Sequence, residues 1–263
     1  SIDNFEDNMK DDNVSGKVID DLIRRIEEEI TISKQKYPDE TMLSNLEARF
    51  AGIMNDDGRI LSSLISAFND NSRDPFIAIR LSKIYIDKGD FNEASKVLTQ
   101  ALERRRSDHR LNYQYAELLR IMDPSKRASL IYYYRRAFTP NDQNFQAQFW
   151  FARFAYESND IKDTSLSADI FDYLRTARIS KDDRFKIRDY IGGQICATIF
   201  RGSLKGVNSG FGFVTVDGSG KDIFFPRSEV QNDLWEALKA GDRLKFNIGF
   251  NYAGPVACNI IPS

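Results

Sequence analysis

Apolar residues in the first three quarters of the chain recur at helical spacing. In "SGKVIDDLIRRIEEEI", Val18, Leu22, Ile26 and Ile30 stand four apart, which predicts one helix with a single apolar stripe. Ser15 is placed to cap its start, and "YPDE" breaks it. From residue 41 the pattern repeats. Leu64-Ile65-Ser66-Ala67 aligns with Leu98-Thr99-Gln100-Ala101, then Tyr134-Arg135-Arg136-Ala137, then Leu174-Arg175-Thr176-Ala177. Each block sets a large side chain three residues before a small alanine, and the alanines are 34, 36 and 40 residues apart. Four helical hairpins follow from this, over 41–74, 75–108, 109–144 and 145–182. Near Gly192-Gly193 the pattern changes. Glycine becomes frequent, and β-branched and aromatic residues alternate, so a domain boundary is expected there.

The alanines carry a steric meaning. A small residue on the second helix of a hairpin lets the first helix approach closely, and the large residue three before it fills the flanking space. One hairpin cannot bury its stripe alone, so neighbours stack. "DPFIAIRLSKIYIDKGDFNEASKVLTQALERR" is the clearest unit, with Leu81 and Tyr85 on the first helix, "KGD" as the turn, and Ala94, Leu98 and Ala101 on the second. This region resembles the tetratricopeptide-like repeats. The resemblance implies a protein or peptide partner along the array. Tyr113, Tyr115, Tyr132, Tyr133, Tyr134, Phe149, Trp150, Phe151 and Phe154 are read mainly as packing between helices.

After Cys196, five strands are predicted at about 196–204, 210–217, 221–226, 242–250 and 254–261, enough for a small closed barrel. Period two divides their side chains between two faces. If Val214, Val216, Ile223 and Phe225 fill the interior, Phe211, Phe213 and Phe224 point outward. Three exposed rings on adjacent strands cost solvation free energy unless something covers them. The cover is either a flat ligand, such as the bases of a single strand, or protein: the helical array or another chain.

The motifs "GFGFV" (Gly210–Val214) and "DIFFP" (Asp222–Pro226) are those of the cold-shock domain, and Gly254, Pro255, Ala257, Asn259 and Ile260 match that family's closing pattern. The segment resembles this family, most closely the cold-shock domains of RNase II/R-type exoribonucleases. The resemblance implies an OB-fold barrel that binds single-stranded RNA or DNA. Carried over, the stacking positions fall on Phe211, Phe213, Phe224 and Trp235, with Lys205, Lys221 and Arg227 near the same face to meet phosphates. There are departures. "SLKG" stands where bacterial cold-shock proteins carry a first-strand Trp, their second-motif His is Pro226, and the aromatic after it is Arg227. Fewer stacking rings imply weaker, less selective binding.

Composition narrows the choice. With 41% hydrophobic and 29% charged residues, the 263-residue chain reads as soluble and globular, with no apolar run of membrane-spanning length. The start is polar, acidic and lacks an initiator Met, which suggests a processed chain or a piece of a longer one. Net charge is −2, but residues 101–138 hold nine Lys/Arg (Arg104, Arg105, Arg106, Arg110, Arg120, Lys126, Arg127, Arg135, Arg136) against four acids. This basic stretch is either a solvated face or a surface for phosphates or an acidic partner. Cys196 and Cys258 are read as reduced, buried thiols, consistent with a cytoplasmic protein. A single histidine, His109, excludes a His-based metal site or a Ser-His-Asp triad within one chain.

The expected fold is therefore multidomain: an acidic segment and helix over 1–40, an all-α solenoid of tetratricopeptide-like hairpins over 41–190, and a five-stranded OB-fold β-barrel over 195–263. The expected function is a non-catalytic adaptor without cofactor or metal, with single-stranded RNA or DNA on the barrel and a protein on the array. The alternative is an interaction or regulatory scaffold whose barrel face is covered by protein, including the C-terminal part of a larger signalling enzyme.

Overall fold

The computed structural model describes residues 16–37, 40–53, 57–72, 74–156, 158–189 and 198–263. Ser15, Cys196 and the Gly192-Gly193 boundary lie outside the described residues. Two compact units result, Ser1–Ala137 and Phe138–Ser263. The division between the two units falls after Ala137. No helix among the described residues is long and apolar enough to cross a membrane.

In the first unit, α1 (Gly16–Lys36) leads into three hairpins: α2/α3 (Thr41–Ile53, Asp57–Asp70), α4/α5 (Pro75–Asp87, Phe91–Arg104) and α6/α7 (His109–Met122, Arg127–Arg135). The helix starts follow from the sequence. Asp74 accepts from the Phe76 N–H with Pro75 in the first turn, and Asp108 accepts from Arg110 and Leu111. The "KGD" turn closes α4: Gly89 takes φ +80°, and the N–H of Asp90 donates to the Tyr85 carbonyl. Ala67, Ala101 and Ala137 are fully buried, as are Leu64, Leu98 and Tyr134 three residues before them. Leu64, Ala67, Leu98 and Ala101 share one core with Ala48, Ala78, Leu81 and Ala94. Of the predicted α1 stripe, Leu22, Ile26 and Ile30 pack as expected around Phe50, joined by Ile23, and the side chain of Val18 lies outside the described residues.

Tyr134 occupies a position that the other repeats give to Leu, so its hydroxyl needs a partner. It donates to Glu117 Oε1 at 2.5 Å, and Arg120 bonds Glu117 Oε2 at 2.7 Å. Burial, reinforced by the Glu117 carboxylate, pushes the Tyr134 phenol up. Arg120 therefore belongs to this network rather than to the basic surface on which Arg104, Arg105, Arg106, Arg110, Lys126, Arg135 and Arg136 stand exposed. Most of the aromatic load is packing, as expected: Phe149, Phe151 and Phe154 are buried, while Tyr132 is exposed.

The second unit holds a fourth hairpin, α8 (Phe145–Ala155) and α9 (Ile161–Thr176), then a short α10 (Lys181–Lys186) and the strands. Ser167 Oγ donates to the Ala152 carbonyl at 2.7 Å, fastening α9 to α8. Strands β2 (Phe200–Val207), β3 (Phe211–Val216) and β4 (Asp222–Pro226) form an antiparallel meander. After β5 (Arg243–Asn251), β6 (Gly254–Pro262) pairs with β5 and, in parallel, with β4, while β5 pairs with β2. These five strands close the expected barrel. A two-residue β1 (Arg188–Asp189) adds to the far end of β5.

Phe250, near the end of β5, joins hairpin to barrel. Its ring stacks on Phe171 of α9 (6.1 Å, 19°) and meets the Tyr156 ring edge-on at 5.2 Å. The Arg153 guanidinium lies 4.5 Å from its centroid, and Arg153 Nε donates to Asp189 Oδ2 at 2.7 Å. Asp189 is in turn the β1 partner of Phe250. Phe250→Ala should cost about 3–5 kcal/mol in a urea titration, and should lower the melting of helix and strand signals together.

Cys258 is a buried free thiol. Burial, with the Glu229 carboxylate adding, pushes its pKa up to about 11. The folded state thus holds the thiol proton more tightly than the unfolded chain does. The corresponding stability should be intact at neutral pH and be lost as pH rises towards 11. Native protein at pH 8 should resist iodoacetamide at Cys258, and urea-unfolded protein should react, as read on the Cys258 peptide by mass spectrometry.

Candidate functional site

The β3–β4 hairpin sets Phe213 directly opposite Phe224, and Phe211 opposite Pro226. Alternation then fixes the faces. Val214, Val216, Ile223 and Phe225 are buried, while Phe211, Phe213 and Phe224 are 38%, 39% and 36% exposed. The three ring centroids form a triangle of 5.5–6.0 Å sides. Within Phe138–Ser263, α8 and α9 pack on Phe250, and the three rings keep more than a third of their surface exposed.

Gly212, between the two β3 rings, faces inward. A Cβ there would come within 2.4 Å of Phe225 Cζ and 2.9 Å of Val207 Cγ1. The Phe225 ring thus fills the interior at the one β3 position that offers no side chain. Before β3, the Asn208 side chain accepts from the N–H groups of Gly210 and Phe211 at 3.1 Å each, which fixes where the outward alternation begins.

The structure corrects one sequence-predicted stacking residue. Trp235, in the short helix α11 (Asn232–Trp235), is only 4% exposed, and its indole lies edge-on to Phe225 at 6.1 Å. The reason is geometric: α11 lies over the barrel, and the large indole fills the space beside Phe225 instead of facing solvent. The three predicted cations have partners. Lys205 bonds Asp222, which also accepts from Thr215 Oγ1 at 2.7 Å. Hydrogen bonds from Lys205 and Thr215 hold the Asp222 carboxyl below the usual range. The Lys221 ammonium sits 5.0 Å from the Tyr156 centroid. Arg227 lies 5.6 Å from the Trp235 centroid and bonds Glu236 at 3.0 Å. The Lys205–Asp222 and Arg227–Glu236 pairs are solvent-exposed, so they are weak and readily exchanged for a phosphate.

Beside the triangle runs a groove of about 480 Å³ lined by Phe213, Phe224, Asp222, Tyr252, Val256 and Arg175 of α9, among others. Sequence reasoning missed Tyr252 and Arg175. Tyr252 lies in the turn between β5 and β6, and Arg175 lies in a block read only for its repeat. No local pattern signals that the helix and the turn meet.

Residues 200–263 match the family described as "'Cold-shock' DNA-binding domain". The Escherichia coli K12 cold shock-like protein CspE is 36% identical over 63 residues, 23% of this chain and 91% of that protein. Its paralogue CspB is 43% identical over 63 residues, 23% of this chain and 87% of that protein. Among solved structures, YrrB, a TPR protein with an unusual peptide-binding site, aligns at TM-score 0.42 and 17% identity, covering 55% of this chain and 78% of YrrB.

Exposed rings and buried rings respond differently to truncation. Replacing Phe211, Phe213 or Phe224 by Ala should change stability by no more than about 1 kcal/mol. Gly212→Ala, which drives a methyl into Phe225, should cost about 1–3 kcal/mol. Urea titrations of the four variants check this. Gly212→Ala as stable as the parent would show that the interior is not filled as described.

Proposed function

We propose that this chain, which belongs to the cold-shock-domain family through residues 200–263, binds single-stranded RNA or DNA on the rings of Phe211, Phe213 and Phe224. One observation carries this reading: three rings stand exposed together although the interior they border is already full. Bases have the flat apolar faces that such rings attract, each stack being worth about 1–3 kcal/mol. Lys205, Lys221 and Arg227 flank the triangle and exchange weak internal pairs for phosphates. Their number is small, and residues 200–263 carry seven Lys/Arg against six acids. Stacking therefore dominates affinity, and sequence selectivity is low. Trp235 supports the barrel and does not stack.

The role is non-catalytic: the barrel holds a strand and the hairpins hold a protein partner. Exposed Tyr132, Ile121 and Met122, set among the exposed arginines of α5–α7, give the hairpins a mixed apolar and basic surface suited to an acidic, partly apolar segment. A scaffold whose triangle is covered by another protein is the competing reading.

Fluorescence anisotropy of labelled oligo(U) and oligo(dT) tests the proposal. Each of Phe211→Ala, Phe213→Ala and Phe224→Ala should weaken binding about 5- to 150-fold. The dependence of log K on log salt should be shallow, with a slope near −2 if about three phosphates are met. No binding by the parent, or variants that bind like the parent, would favour the protein-covered scaffold.

A further inference from the structure

We infer that the groove beside the phenylalanine triangle takes the next nucleotide of the bound strand, with Tyr252 stacking on its base and Arg175 meeting its phosphate. This rests on the nucleic-acid reading above and extends it beyond the barrel, to a helix outside the residues matched by the family.

Continuity comes first. Phe213 and Phe224 belong both to the triangle and to the groove wall, so a strand leaving the triangle on that side enters the groove. Size is suitable: about 480 Å³ lies in the range of small-ligand sites. The lining is also suitable, with Phe213, Phe224, Tyr252 and Val256 as apolar walls and Arg175 as the cation. The one carboxylate on the wall, Asp222, is already bonded by Lys205 and Thr215, so its repulsion of a phosphate is reduced.

Arg175 is held in place by the same interaction that docks its helix. Phe171 stacks on Phe250, and Arg175 follows four residues later, one turn along the same face. The backbone beyond Tyr252 completes the fit: a Cβ on Gly254, were it present, would lie 3.5 Å from the Phe171 ring. Arg175 is paired with Asp172, both side chains being more than half exposed, so the pair yields readily to a phosphate. The Arg184 guanidinium lies 5.2 Å from the Tyr252 centroid and helps hold that ring in place.

The test is a length series of oligo(U), two to eight nucleotides, titrated against the full chain and against Tyr252→Ala, Arg175→Glu and Arg175→Gln. Two- and three-nucleotide strands, which the triangle alone accommodates, should bind all proteins alike. Beyond that length the parent should gain a step in affinity of about fivefold or more that Tyr252→Ala lacks. Arg175→Glu and Arg175→Gln should flatten the salt slope by about 0.7, the reversal also weakening binding at low salt. A 5-iodouracil placed at the fourth position of a four-nucleotide strand should photo-crosslink to Tyr252, as mapped by mass spectrometry. If the parent binds with the expected phenylalanine dependence but all three variants keep the step and the slope, and the iodouracil of the parent complex crosslinks elsewhere than Tyr252, the groove assignment is wrong and the triangle stands. If the parent binds no strand of any length, both fall. Arg175 is exposed and Tyr252 half-buried, so the melting of each variant is measured beside its binding, and a variant that melts like the parent reports on binding alone.

Discussion

A ring and a glycine share one space inside this barrel. Phe225 reaches across to the backbone of Gly212, and no Cβ fits between them. With the interior claimed by Phe225, Val214, Val216 and Ile223, period two leaves the neighbouring rings on β3 and β4 only the outside. The aromatic triangle is thus not an ornament added to a finished barrel. It is the other half of the packing solution, and any ligand it attracts is selected first for flatness.

Charge plays the smaller part. Every cation predicted for the site is engaged on the surface, Lys205 with Asp222, Lys221 with Tyr156, Arg227 with Trp235 and Glu236. Such contacts orient the side chains without tying them down. The same balance recurs in the first unit, where Arg120 is drawn out of a basic stretch by the buried hydroxyl of Tyr134 and the carboxylate of Glu117. Linear charge counts overstate a surface when one of its members serves the core.

How much was legible in the sequence depended on the range of the interaction. The buried alanines at 67, 101, 137 and 177 and the outward rings at 211, 213 and 224 were readable, because period and parity act within a few residues. Trp235 was misplaced because its burial depends on where a four-residue helix settles over the barrel, which no alternation encodes. Arg175 and Tyr252 lie far apart in the chain, and only the docking of α9 on Phe250 brings them to one groove.

Phe250 bears on how this chain can be divided and inherited. Its ring, on a barrel strand, forms the seat of the α8/α9 hairpin, and it is only 1% exposed. A barrel cut free at residue 198 would carry that ring bare. A fusion that keeps this face dry carries the α8/α9 hairpin along with the barrel.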